Sequence, residues 1–476
     1  MIAGLLLFLV LPLVIGGVVY VFRRWGTLSS LLSIGMTLAL GITILALPLG
    51  QVVEFWGRQI VMGGTVSFLG RELILEDVDR VAIAFLYLTA SGLFLLAWQV
   101  SPGTLLFPVG FGMLSLLSGS LLIRPLIYAV LLVEIAVAAS VFALQDEGGR
   151  PARGALQYLS VSLLALPGLL VIHWLMDRYA LTPDNTALLD VSAVLLAFSF
   201  ALLMGSVPFQ TWLPSVAGDS DPLASAFLFT VNHAAVWFLL LAFLETYPEL
   251  IAGARFAPYA SAAGMAMVLA GGVLAASQRR LGRLMGYGAV IDNGAALIAF
   301  GMASERGLAL VLLGLLVRPF GMALTAMGLS GLGAACGHDV RVETVRGLGR
   351  RFPWSTLAFA VGALSIAGLP ASAGFAARWA LYRLLGPSDL VSVLAMVGGS
   401  LGLMVGVWRA LSALLAEAEA EASTELVDDA PAEHDRWPRG LVVGLAVVAS
   451  VVVGLSPHLL GPIAARLAGF YTFLAP

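Results

Sequence analysis

Lysine is absent from this chain of 476 residues, and all 25 of its basic residues are arginine. The chain therefore lacks the one cation whose pKa burial readily pulls toward neutrality. Cysteine occurs once, at Cys336, which excludes an internal disulfide and any paired-cysteine metal site. Charge is scarce as well, at 11% of residues where an ordinary soluble chain carries about 25%. The five histidines, His173, His233, His338, His434 and His458, are scattered, and no two have the spacing of a metal or haem pair. No glycine-rich nucleotide loop follows a strand, and there is neither an iron–sulfur cysteine set nor a nucleophile triad. Redox chemistry and hydrolysis thus find no site in the chain. The net charge of −3 says little about partners, and no nucleic-acid partner is expected.

What the chain has instead is apolar length. It is 60% hydrophobic with mean hydropathy +0.99, and runs of about 20 apolar residues recur from end to end. These properties predict an all-α integral membrane protein with about fourteen spans. The spans fall near 2–22, 29–49, 82–99, 104–122, 125–144, 154–175, 188–206, 223–246, 258–277, 284–303, 308–330, 355–384, 390–415 and 440–465. The first has no basic leader and no small-residue cleavage site, so it reads as a span rather than a signal peptide. No large extramembrane module is visible, and residues 1–476 form one membrane domain.

Alternate loops divide the arginines unevenly: fourteen fall on one side and nine on the other, with Arg318 and Arg378 left inside spans. The richer side is expected to be cytoplasmic, which puts both termini outside. Residues 64–76 (TVSFLGRELILED) alternate enough to predict a short hairpin on the outer face. Residues 415–436 (LAEAEAEASTELVDDAPAEHDR) read as an acidic, partly helical cytoplasmic loop, either a solvated linker or a docking surface.

Within the apolar runs stand five ionisable residues: Glu134, His233, Asp292, Arg318 and Arg378. A charge at bilayer depth costs roughly 2.5–3.5 kcal/mol on insertion scales, and such residues mark ion or proton pathways. The competing readings are a neutral carboxyl bonded between helices for Glu134, a packed histidine for His233, and an arginine at position 318 that satisfies carbonyls freed by Pro319. Arg378 could also snorkel toward an interface. Asp219 and Asp221 read as helix-start residues before Pro222.

Two spans are interrupted. Gly205-Ser-Val-Pro208 and Pro214 break the seventh (ALLMGSVPFQTWLP), and Gly368-Leu-Pro370 breaks the twelfth (ALSIAGLPASAGFAARWALY). Broken helices in lipid line protein-buried cavities, and paired breaks in two halves point to a transport site. The fifth and tenth spans each carry an acid, Glu134 and Asp292. The pattern predicts two pseudo-symmetric five-helix repeats, spans 4–8 and 9–13. The corresponding segments are 1–102 (N-terminal spans), 103–246 (first repeat), 257–415 (second repeat), 416–438 (acidic loop) and 439–476 (C-terminal span).

VPFQTWLP (207–214) followed by DPLASAFLFTVNHAAVW (221–237) resembles spans seven and eight of the antiporter-like membrane subunits of respiratory complex I. Related subunits occur in membrane-bound hydrogenases and multisubunit sodium/proton antiporters. LSIAGLPASAGFAARWALY (364–382) is similar to their span twelve, RRLGRLMGYGAVIDNGAALIAFG (279–301) to span ten, LLVEIAVAASVFAL (131–144) to span five and ALQYLSVS (155–162) to the start of span six. The chain's end soon after its last span resembles the two shorter subunit types, without a lateral helix.

The resemblance implies a proton path along a central hydrophilic axis. In the family a span-five glutamate pairs with a span-seven lysine, a lysine or histidine in span eight passes protons on, and a lysine or glutamate in span twelve leads outward. Glu134 and His233 match the first and third of these positions, and Arg378 falls at the span-twelve position. Arg318 lies near the polar position of span eleven. Anchored on Pro208, the span-seven lysine position holds Leu203, with Met204 beside it, and Gln157 replaces a common lysine in span six. Arginine does not release its proton, so the family's lysine cycle is altered here.

The expected function is a proton-translocating or proton-coupling membrane-arm subunit of a redox-driven pump of the bacterial inner membrane. The resemblance places NADH, iron–sulfur centres and quinone in partner subunits and none in this chain. Two other readings stay open: a non-pumping scaffold subunit of such a complex, and a component of a cation/proton antiporter or inorganic-carbon transporter.

Overall fold

The computed structural model describes residues 2–3, 5–46, 52–55, 58–61, 65–68, 70–145, 153–252, 256–336, 340–417 and 437–474. The first half of the chain supplies α1 (Leu5–Val21), α2 (Gly26–Ala46), α3 (Asp77–Val100), α4 (Leu106–Leu122), α5 (Leu126–Leu144), α6 (Arg153–Leu163), α7 (Ala165–Leu181), α8 (Thr186–Met204), α9 (Trp212–Asp219), α10 (Pro222–Phe227) and α11 (His233–Thr246). A π-helical turn, Leu228–Asn232, joins α10 to α11. The second half supplies α12 (Glu249–Ala252), α13 (Phe256–Ser277), α14 (Leu281–Phe300), α15 (Glu305–Cys336), α16 (Pro353–Ala367), α17 (Ala373–Leu385), α18 (Leu390–Leu415), α19 (Trp437–Leu455) and α20 (Gly461–Ala468).

Among the described residues, ten helical segments are long and apolar enough to cross a membrane, α6 and α7 together counting as one, and Leu106–Leu122, Pro353–Ala367 and Arg439–Leu455 are shorter apolar helices. The chain is a multi-pass helical membrane protein. Burial sorts the segments. Nearly every residue in the most apolar stretch of Pro222–Thr246 is buried, so α10 and α11 form the centre of the bundle, whereas most residues in the corresponding stretches of α1, α2 and α13 are not. Where helices touch most closely the contact is glycine: a Cβ on Gly272 of α13 would lie 2.6 Å from the Cα of Gly399 on α18. In a bilayer, where apolar side chains gain little by meeting each other, such backbone approach supplies the packing.

The strands are minor. β1 (Ile2–Ala3), β3 (Arg58–Val61) and β2 (Val52–Phe55) form one small sheet, and β4 (Val66–Phe68), β5 (Arg71–Leu73) and β6 (Ile123–Arg124) form another. β4 and β5 are antiparallel with Val66 opposite Leu73, so the expected hairpin is present. His338, His434 and residues 418–436 of the acidic loop lie outside the described residues.

Both expected interruptions have one local cause. α8 ends at Gly205, whose φ of +64° is open to glycine at no steric cost, and α16 ends at Gly368 with φ +82°. In each, the residue after the glycine donates to the carbonyl five back, Ser206 to Ala201 at 2.7 Å and Leu369 to Leu364 at 3.0 Å. The glycine itself bonds three back, to Leu202 and to Ser365, which completes the Schellman arrangement. Pro208 lies in the stretch between α8 and α9, and Pro370 in that between α16 and α17. Pro214 sits inside the first turn of α9, where its missing N–H would have no intrahelical acceptor in any case.

Three boundaries differ from the sequence reading. The span near 154–175 is two helices that meet at Leu164 and run on to Leu181. Pro167 in the first turn of α7 removes the donor that would have bonded the Leu163 carbonyl. The span near 440–465 stops at Leu455, because Pro457 follows, and α20 is separate. Asp221 caps α10 by accepting the Ala224 amide at 2.8 Å, but Asp219 closes α9 and pairs with Arg280 at 3.2 Å rather than starting a helix.

Candidate functional site

The fold brings the buried polar residues of six helices into one succession. It starts at Glu134 in the middle of α5, only 5% exposed, with neither carboxylate oxygen bonded by a described residue. Tyr158, on α6, lies within electrostatic reach of that carboxylate. The Tyr158 ring packs on Trp212, the first residue of α9 after the break, with centroids 4.5 Å apart. Its hydroxyl accepts the Asn232 side-chain amide at 3.0 Å.

Asn232 closes the π-helical turn, and His233 follows it. A π turn widens the helix by one residue and leaves carbonyls loosely paired, which is why such turns recur at functional positions. The His233 ring is held by aromatics, 5.6 Å from Trp212 and stacked 6.0 Å from Phe229. Neither of its nitrogens makes a hydrogen bond of normal geometry among the described residues, and the Phe229 carbonyl is the backbone acceptor it faces.

Arg318 comes next, within electrostatic reach of His233. It is buried on α15, beside Pro319, but it does not serve the carbonyls of its own helix. Nη1 donates to Asn293 Oδ1 at 2.6 Å and Nη2 to the Ala289 carbonyl at 3.4 Å, both on α14. Asn293 in turn donates to the Met204 carbonyl at 2.8 Å, the last residue of α8. One amide therefore joins the arginine of the second half to the helix break of the first.

Asp292, adjacent to Asn293, faces the other way. It accepts Arg378 Nη2 at 2.8 Å. Arg378, 5% exposed on α17, also donates to the Ile366 carbonyl at 2.7 Å and to Ser400 Oγ on α18. Ile366 belongs to the last turn of α16, so this arginine binds the second break as Asn293 binds the first. The arrangement excludes snorkelling, because every donor contact points inward. Asp292, Arg318 and Arg378 share the lining of a cavity of about 60 Å³, room for a few waters.

A larger cavity, about 700 Å³, lies at the α6–α9 end and is lined in part by Gln157, Arg153, Asp219 and Arg283. Gln157 donates to Thr211 Oγ1 at 3.0 Å, and so ties α6 to the start of α9. Leu203 and Met204, at the position where the family resemblance expects a lysine, are both buried apolar side chains.

The sequence reading missed Tyr158, Asn232, Asn293 and Ser400. A signal existed for two of them: Asn232 and Asn293 each stand next to an ionisable residue inside an apolar run. Tyr158 and Ser400 carry no such mark, since both residue types are common on membrane helices.

Residues 155–402 match the family described as "NADH:quinone oxidoreductase/Mrp antiporter, TM". The chain belongs to this family. The matched stretch runs from α6 to α18 and includes His233, Asp292, Arg318 and Arg378, with Glu134 just before it. NADH-quinone oxidoreductase subunit N of Rhodopseudomonas palustris (strain BisA53) is 34% identical over 211 residues, 44% of this chain and 44% of that protein. Subunit N of Rhodococcus opacus (strain B4) is 26% identical over 316 residues, 64% of this chain and 54% of that protein. The chain thus spans about half the length of the curated relatives it matches. Solved structures share its fold across nearly the whole chain. A chain of the Mrp complex from Dietzia sp. DQ12-45-1b has TM-score 0.79 at 16% identity, covering 98% of this chain and 97% of that one. A chain of respiratory complex I from Thermus thermophilus has TM-score 0.74 at 18% identity, covering 99% and 100%. The fold is that of the antiporter-like membrane subunits of complex I and Mrp complexes.

Proposed function

We propose that this chain conducts or couples protons as a membrane-arm subunit of a redox-driven translocase of the NADH:quinone oxidoreductase or hydrogenase type. Its place is a bacterial inner membrane, beside other membrane-arm subunits. The observation that carries the reading is the polar succession from Glu134 through His233, Arg318 and Asp292 to Arg378, in which every member but Asp292 is buried. Each member comes from a different helix, and both helix breaks are bonded into it through Asn293 and Arg378. Buried charge is expensive in a bilayer, and a series of such groups carried from helix to helix argues for transport.

The finer layout follows from the same residues. Spans 4–8 and 9–13 are two five-helix repeats, supported by the matching glycine-terminated breaks and by an acid in the middle of α5 and of α14. The richer arginine side faces the cytoplasm and both termini face outward. NADH, iron–sulfur centres and quinone belong to partner subunits, with which this chain shares a conformational or electrostatic stroke.

The path differs from the family's lysine cycle. Leu203 offers no cation to Glu134, and the span-twelve position holds an arginine in place of a lysine or glutamate. Arg378 acts as a fixed positive gate whose counter-ion is Asp292, while His233, whose two ring nitrogens can give and accept a proton, carries the transfer. Glu134→Gln and His233→Ala test this in the assembled complex. Proton translocation should fall at least tenfold per electron transferred, and unchanged translocation in both variants would remove the proposed path. Mass spectrometry of what copurifies from native membranes decides the partner: quinone-reductase or hydrogenase subunits support the reading, and antiporter subunits alone overturn its redox part. A non-pumping scaffold is the second reading, favoured by the closed Asp292–Arg378 pair. It predicts fewer protons per electron than in lysine-bearing relatives.

A further inference from the structure

No described residue bonds the Glu134 carboxylate, and the Tyr158 phenol lies within its electrostatic reach. We infer that the Tyr158 hydroxyl takes the place of the absent span-seven lysine and relays protons between Glu134 and His233. This rests on the proton-conducting reading above.

The bonding at the hydroxyl carries the inference. A tyrosine oxygen has one proton to give and lone pairs that accept. Asn232 Nδ2 occupies one acceptor position at 3.0 Å, and Ser162 Oγ, one turn along α6, is the other polar atom beside the hydroxyl. Asn232 leaves the O–H free to turn to a further acceptor, and a relay needs one bond of each kind: the oxygen receives a proton from one side as it gives its own to the other. The proton bonds balance, and the phenol is unchanged after each passage. No charge accumulates on the ring, so the step asks nothing of the buried site that a charged intermediate would.

The surroundings support this. Tyr158 is 1% exposed and locked by Trp212, whose ring also touches His233. Around it lie buried polar atoms with no described protein partner: both Glu134 oxygens, both His233 nitrogens, Asn232 Oδ1 and Ser162 Oγ, one turn along α6. Buried polar atoms of this kind are ordinarily met by ordered water, which would bridge the carboxylate, the phenol and the imidazole. Gln157, next to Tyr158 on α6, lines the 700 Å³ cavity, so that cavity reaches the helix that carries the phenol.

The test is proton translocation by the assembled complex in membrane vesicles carrying Tyr158→Phe. Phenylalanine keeps the packing on Trp212 and removes only the hydroxyl. Translocation should fall tenfold or more, as in Glu134→Gln, with subunit content unchanged on native gels. Wild-type translocation in Tyr158→Phe beside a lost one in Glu134→Gln would overturn the relay and leave the proton path standing. Wild-type translocation in both would overturn the path as well. If Tyr158→Phe does not assemble, 3,5-difluorotyrosine placed at 158 preserves shape and hydroxyl but yields its proton more readily. Severalfold altered flux then supports the relay, and wild-type flux refutes it.

Discussion

The ion pair between Asp292 and Arg378 allows the most quantitative test. The two groups stand 2.8 Å apart, with side chains 21% and 5% exposed. At an effective dielectric constant of about 20 the gross attraction at that distance is about 6 kcal/mol, and desolvation offsets most of it. Asp292→Leu removes the counter-charge and leaves a guanidinium with only Ser400 and the Ile366 carbonyl as partners. That should cost about 3–5 kcal/mol. Arg378→Met should cost less, about 1–3 kcal/mol, because Asp292 borders a cavity and can be solvated there. The double variant leaves no unpaired charge and should lie within about 1 kcal/mol of the parent. The coupling energy in the cycle is then at least about 3 kcal/mol. Denaturant titration of the protein in mixed micelles, followed by tryptophan fluorescence, measures all four corners. Additive single changes, or a cost below about 1 kcal/mol for Asp292→Leu, would show that the pair is solvated and would refute the fixed-gate argument.

Gly205→Ala should destabilise by about 1–2 kcal/mol from the left-handed backbone alone, with more from a new Cβ 2.7 Å from Leu213 Cδ1. Gly17→Ala on the outer face of α1, where nothing lies within 4 Å, is the control and should be neutral or stabilising by up to about 1 kcal/mol in the same titration. Asp389 caps α18 by accepting the Ser392 amide at 3.0 Å as well as its hydroxyl, and those bonds hold its carboxyl below the usual carboxylate range. A lowered folded-state value means stability present above the unfolded carboxylate value and lost as pH falls through the folded one. Asp389→Ala should therefore cost about 1 kcal/mol at neutral pH, and its thermal stability should converge with the parent's in acid.

The sequence by itself determined the class of molecule. Apolar run length is a one-dimensional property, and a bilayer demands it of each span separately, so a helical membrane chain is legible without any contact. The same holds for the breaks: Gly205 and Gly368 end their helices through local backbone freedom, read from a few neighbouring residues. The ionisable residues inside apolar runs were visible for the same reason, because lipid makes each one conspicuous.

Partners were not visible, since a partner depends on which helix faces which. Nothing near Arg318 in sequence indicates that it would turn from its own Pro319 to Asn293, or that Asn293 would then reach the end of α8. Nothing near Glu134 indicates that a tyrosine some two dozen residues on would stand opposite it. Pro167 and Pro457 were equally plain in the sequence, yet the spans near 154–175 and 440–465 read as continuous. A proline can bend a helix or end it, and packing against neighbours selects between the two. Local chemistry set the helices and their ends. Only the crossing of six helices decided which buried groups meet, because that is a matter of faces and distances that no single span encodes.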